Sequence, residues 1–139
     1  MIESTRDFQE FMKEREKASS AFVNGDFNPL AQISTQTSPA TIFGPKGDCV
    51  QGADKVNETN ANGSKLFLAS TRNAFQVMHM ASDDNLAYWV GIQRSVVQMR
   101  GQEQAAPVDL RVTEIFRRED GLWKLIHRHA DRLTSGADA

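Results

Sequence analysis

The sequence predicts an α+β fold: three N-terminal helices on one side of a strongly curved, mixed but mainly antiparallel sheet. Two observations carry that expectation. Helical periodicity is confined to the first half, and from Phe67 onward the chain turns to alternating runs rich in β-branched and aromatic residues. The last two runs meet at Asp120-Gly121, a short-range hairpin signal, because both residue types tolerate the positive φ of a tight turn.

The elements follow in order. Phe8, Phe11, Met12, Ala18, Ala21 and Phe22 recur at three- and four-residue steps and give a long first helix its apolar stripe. Ser4 is its expected N-cap, and Gly25 its expected left-handed stop. A short second helix is expected with Asn28 as cap and Pro29 in its first turn. Thr41-Ile42-Phe43 reads as a strand, Gly44-Pro45-Lys46-Gly47 as a turn and Cys49-Val50-Gln51 as a second strand. A third helix is expected from Gly52 to Leu68, weakened by Asn57, Asn60, Asn62 and Gly63. Strands are expected over 74–81, 86–99, 108–117 and 122–132. The reading is one domain over 1–133, with 134–139 a frayed tail.

Composition narrows the function. A net charge of −2 lacks the basic footprint of a general nucleic-acid binder. Cys49 stands alone, so no internal disulfide forms. No stretch approaches the roughly 18 apolar residues of a membrane span, and the N-terminus has no signal-peptide pattern, so nucleic acid and membrane are set aside as partners and the cytoplasm is the default location.

Along the penultimate strand Leu110, Val112, Glu114 and Phe116 share one face, apolar except for Glu114, and this face is expected inward. The last strand admits two registers. A two-residue turn pairs Glu114 with His127; a three-residue turn with a glycine bulge pairs it with Ile126. On the fourth strand Tyr88, Val90, Ile92 and Arg94 alternate with Ala87, Trp89, Gly91 and Gln93. With the first set inward, Tyr88 and Arg94 supply polar ends to an apolar pocket; otherwise Tyr88 and Trp89 are core and interface aromatics.

An N-terminal helix ending in Asn-Gly-Asp-Phe, the Pro-Ala-Thr-Ile-Phe-Gly-Pro segment and the closing Asp-Gly-Leu-Trp-Lys-Leu-Ile-His-Arg-His together resemble the nuclear transport factor 2-like superfamily. Within it the chain looks most like the SnoaL-like and ketosteroid-isomerase-like domains and the calmodulin-dependent kinase association domain. The resemblance implies a cone-shaped α+β barrel with an internal cavity, and commonly a homodimer through the outer sheet face. It also favours the bulged register, placing Ile126, Arg128 and Ala130 inside and Trp123, Leu125, His127, His129 and Asp131 outside. Trp89, Thr113, Trp123, His127 and His129 are then the expected dimer face. Fold alone does not transmit function, because one shell can host enzymes, carriers and assembly modules.

Steroid isomerisation does not carry over. The position matching the family's carboxylate base is Gly44, and that matching its tyrosine is Ala18; neither side chain can move or donate a proton. Only the third role, an acid on the penultimate strand, survives, as Glu114. Glu114 then admits three readings: a buried ion pair with Arg128, a proton-transfer group with a raised pKa, or a carboxylate reaching solvent at the mouth. His127, His129 and Asp131 alternate on one strand face, but closing a metal site needs ligands from other elements, and no metal is expected.

Three functions compete. The first is a cofactor-free small-molecule binder, its hydrophobic ligand contacting Tyr88, Val90, Ile92, Arg94, Val112, Phe116, Ile126 and Arg128, with weak acid–base chemistry at Glu114. The second is a non-enzymatic dimerisation module with a filled interior. The third is a SnoaL-like cyclase, isomerase or dehydratase, which requires a partner for Glu114; His79 is the one candidate.

Overall fold

The computed structural model describes residues 2–134, with side chains from Asp7 onward. Its elements are α1 (Ile2–Phe22), α2 (Asn28–Ile33), β1 (Thr41–Phe43), β2 (Cys49–Gln51), α3 (Ala53–Ser64), β3 (Phe67–Ser82), β4 (Leu86–Met99), β5 (Ala106–Glu119) and β6 (Leu122–Arg132). One six-stranded sheet runs β2-β1-β6-β5-β4-β3; β1 lies parallel to β6 and every other pair is antiparallel. The α+β expectation holds, as a curved sheet that does not close on itself.

Helix ends follow local chemistry, with corrections. α1 begins at Ile2, so Ser4 lies inside its first turn rather than capping it. It stops at Gly25, whose φ of 90° lets Asp26 N–H return to the Ala21 carbonyl. α2 is entered through Phe27, and the Asn28 N–H is taken by the Asp26 carboxylate, so Asn28 is not the cap. α3 ends at Ser64, before the expected Leu68, because its last turn holds Asn62 and Gly63. The chain it releases starts β3 at Phe67, well before the expected Ala74. The tail from 135 lies outside the described residues.

Curvature has identifiable causes. Against β4, β3 slips register at Leu68, Thr71 and Met78, and each extra residue bends the strand. At Gly91 the two backbones approach so closely that a Cβ there would lie 2.0 Å from the Gln76 carbonyl oxygen. The core occupies part of the hollow of the bend: Phe8 packs on Phe11, Phe116 and Trp123, and Phe75 stacks on Trp89 at 4.5 Å between ring centres. Burying such side chains stabilises by about 1.5–3 kcal/mol each. A smaller cluster of Ala40, Ala53 and Val56, with Ile42 and Val50, seats α3 on β1 and β2.

The closing hairpin combines features of both registers. Asp120 and Gly121 have φ of 50° and 80°, a two-residue turn, and Glu119 pairs with Leu122. The extra residue enters further along, at Ile126, between the pairs Phe116–Leu125 and Ile115–His127. Before it, Trp123 and Leu125 are buried in the core, which corrects their expected outward placement. After it, Glu114 sits opposite Arg128 rather than Ile126, and Ala130 is inside as expected.

On β4 the faces are the reverse of the pocket reading. Ala87, Trp89, Gly91, Gln93, Ser95 and Val97 are the buried, concave set. Tyr88, Val90, Ile92 and Arg94 therefore alternate onto the convex face, where Arg94 meets Asp109 of β5. The inward set is tolerated because its polar members are satisfied there: the Trp89 indole N–H donates to Glu114, Gln93 bonds Arg128 and Asn73, and the Ser95 hydroxyl donates to the Val108 carbonyl. Trp89, expected on a dimer face, is fully buried.

Candidate functional site

Glu114 is 0% exposed and projects from β5 into the concave side. Arg15 of α1 grips it with a two-bond fork, Nε to Oε1 at 2.8 Å and Nη2 to Oε2 at 2.7 Å. Arg128 Nη1 donates to Oε2 at 2.8 Å, and the Trp89 indole N–H donates to Oε1 at 2.8 Å. Burial pushes the carboxyl up, but the Arg15 and Arg128 charges reverse this and hold it at about 2, against an ordinary 4.5. The raised pKa that proton transfer would require is not found: Glu114 is a fixed anion. Of its three readings, the ion pair stands, with Arg15 as an additional partner.

Two guanidiniums against one carboxylate leave this buried cluster one positive charge in excess. Arg15, itself 3% exposed, uses one edge of its guanidinium on Glu114; Nη1, on the other edge, is buried with no hydrogen-bond partner. Arg128 spends Nη2 on Gln93 Oε1 at 2.7 Å, and Gln93 in turn donates to Asn73. Burial and the like charge of Arg15 push the Arg128 guanidinium down while Glu114 holds it up.

Arg15, Gln93 and Arg128 form part of the wall of a cavity of about 580 Å³ enclosed by the three helices, the β1–β2 hairpin and the concave sheet. Phe22, Val23, Val97, Met99, Val108 and Leu110 line the rest of it with apolar surface. Size and lining match a small-molecule site, mostly apolar with a few polar groups placed to fix orientation.

Of the residues expected to contact a ligand, Ile126 and Arg128 line this cavity. Val112 and Phe116 face inward as expected but belong to the aromatic core beneath α1. Tyr88, Val90, Ile92 and Arg94 lie behind the sheet. His79 is exposed and bonds Tyr88 Oη at 3.0 Å; it pairs with Val90 on the convex face, across the sheet from Glu114, so the two form no acid–base pair. Thr113 and His129 lie on the convex side, His127 is half-buried and also borders the cavity beside Thr41, and Trp123 is buried with its indole N–H on Asp7. Thr41 Oγ1 meets His127 Nδ1 at 2.7 Å, and Phe43 packs edge-on against both imidazoles. Burial, then the neighbouring His129, push the His127 imidazole down. Among the described residues no group of three His, Cys, Asp or Glu side chains is placed to hold a metal.

Sequence reasoning missed Arg15 and Gln93. Arg15 did carry a signal: a charged residue in the apolar stripe of α1, between Met12 and Ala18, where only a buried partner makes it tolerable.

No protein-family sequence model matches the chain, and no curated protein matches it in sequence. Solved structures do match. A candidate dehydratase of the nuclear transport factor 2-like family from Streptomyces avermitilis aligns with a TM-score of 0.71 at 17% identity, covering 94% of this chain and 98% of that one. The chain has the nuclear transport factor 2-like fold. A nuclear transport factor 2-like protein of unknown function in nutrient uptake from Rhodospirillum rubrum gives 0.68 at 20% identity, over 88% and 98% of the two chains. A candidate calcium/calmodulin-dependent protein kinase type II association domain from Thiobacillus denitrificans gives 0.68 at 13%, over 87% and 93%. At such identities the likeness shows the fold alone. The expected superfamily resemblance is met at that level.

Proposed function

We propose that this protein binds a small amphipathic molecule, with its apolar body in the cavity and a carboxylate or similar oxygen acceptor on Arg15 and Arg128. One observation carries the reading: Arg15 and Arg128 stand on the wall of an apolar cavity with a single carboxylate between them, so the charged cluster there is one anion short of neutral. A ligand carboxylate supplies the missing anion, and hydrogen bonds to charged groups contribute about 1.5–3 kcal/mol each. The reading is binding rather than proton transfer, because Glu114 is held ionised by two arginines and an indole.

A thermal-shift panel tests it: aliphatic and aromatic monocarboxylates beside their primary amides. Saturable stabilisation by the acids, well above that by the amides, is the expected result. Equal shifts from acid and amide, or none, contradict it.

The convex face supports a second component, a homodimer. All three helices pack on the concave side, leaving Val90, Thr113 and Ile115 in a half-buried row with no helix over them among the described residues. Sedimentation equilibrium is expected to give twice the chain mass; a monomer across the accessible concentration range removes this component.

A further inference from the structure

The cavity has a second feature that its arginine cluster does not use. Leu66, just before β3, and Leu68, its second residue, are 52% and 45% exposed. Leu66 is part of the cavity wall, together with Phe67 and Met99, and Leu68, two residues on, extends this exposed apolar edge beyond the lining as a lip. The lip is built rather than loose: the Arg100 backbone N–H donates to the Leu66 carbonyl at 2.8 Å, and its guanidinium Nε to the Lys65 carbonyl. The register slip between Phe67 and Ala69 sets Leu68 out of the β3–β4 ladder.

Cations accompany this lip: Lys65 and Arg100 flank it in sequence, and Lys46 and Arg132 line other parts of the same cavity. None of the four is in an ion pair among the described residues; the acids on these stretches are Asp48 on the wall, Glu103 on the β4–β5 loop and Asp26, beside the Gly25 that approaches the Phe67 carbonyl. A local excess of positive charge, on a chain of net charge −2, coincides with exposed leucines at a cavity mouth. Cations alone suit many acidic partners. Exposed leucines set among unpaired cations suit an anionic bilayer, which takes apolar tips into its acyl boundary and basic groups at its phosphates.

We propose that the Leu66–Leu68 lip docks the protein on an anionic membrane surface, so that an amphipathic acid passes between the leaflet and the cavity without crossing water. The transfer step rests on the carboxylate reading above; the docking step does not. No helix among the described residues is long and apolar enough to cross a membrane, and a surface contact requires none.

The test is co-sedimentation of the full chain with vesicles, no ligand added, so that its outcome is independent of carboxylate binding. Vesicles of phosphatidylcholine are compared with vesicles containing about 30 mol% phosphatidylglycerol. Binding to the anionic vesicles, little to the neutral ones, and release in about 0.5 M NaCl are expected. Lys46→Gln and Lys65→Gln, both on exposed side chains, should each weaken partition about fivefold. Leu66→Ser with Leu68→Ser should weaken it by about tenfold or more while the circular dichroism spectrum is kept. Wild-type protein that stays in the supernatant with anionic vesicles overturns the proposal, as does binding that the double serine variant retains. A drop in oligomeric mass in that variant, with no vesicle binding by wild type, would instead assign the lip to a second copy of this chain.

Discussion

Arg15 and Glu114, 99 residues apart, meet in a two-bond fork that ties the middle of α1 to the middle of β5. Both are buried, and such a pair is a poor source of net stability, because stripping two ions of water offsets most of their attraction. Its value lies elsewhere. By neutralising one of two guanidiniums the fork makes it possible to keep positive charge at the wall of an apolar cavity, already oriented before any ligand arrives.

Breaking the fork from the acid side should therefore be severe. Glu114→Gln leaves two buried cations without their anion, and a loss of about 3–5 kcal/mol in unfolding free energy is expected. Urea titration reads it. A loss under about 1 kcal/mol would mean that the arginines swing to water instead of remaining buried.

Acid should act through the same carboxyl. With its folded pKa held at about 2 against an ordinary 4.5, Glu114 adds stability that is complete above 4.5 and lost as pH falls from there towards 2. Glu119 shifts in the same direction: burial pushes it up, while the Thr35 hydroxyl and Arg117 more than offset this. Stability measured from pH 6 to pH 2.5 should fall more steeply in wild type than in Glu114→Gln, the difference isolating Glu114. Parallel profiles would contradict its ionised state.

Gly91 should not tolerate a side chain. Gly91→Ala sets a methyl 2.0 Å from the Gln76 carbonyl oxygen, which is backbone and cannot swing aside. A loss of about 1–3 kcal/mol is expected, with a lower melting temperature by calorimetry. An unchanged melting temperature would show that the close approach of β3 to β4 is not what bends the sheet.

Arg15→Lys separates charge from geometry. A lysine keeps the cation but presents a point charge instead of a planar fork. Affinity for a monocarboxylate such as octanoate should fall about tenfold or more by calorimetric titration, and affinity for octanol should change little. An equal loss for both would indicate a reshaped cavity.

What could be read from the sequence was what local chemistry decides. Gly25, Pro29, Asp120 and Gly121 mark their turns, and the apolar face of Leu110, Val112 and Phe116 placed Glu114 inside. Face assignment on β4 failed because the less hydrophobic set goes in: Trp89, Gln93 and Ser95 find buried hydrogen-bond partners that are remote in sequence, on Glu114, Arg128, Asn73 and Val108. The bulge at Ile126 had no marker of its own, so the strand changed face partway along, and Trp123 went in with Arg128. Arg15 lay hidden because its partner is remote in sequence, although a charge within the α1 stripe was a visible anomaly.

The central claim is that the Arg15–Arg128 pair on the cavity wall receives the anionic head of a ligand. Nitrogen-detected NMR of guanidinium groups, with octanoate titrated into the labelled protein and Arg15→Lys used for assignment, tests it most directly. A saturable shift of the Arg15 and Arg128 guanidinium resonances, absent with octanol, is predicted. Octanoate that binds while leaving both in place, or that does not bind at all, would contradict the claim.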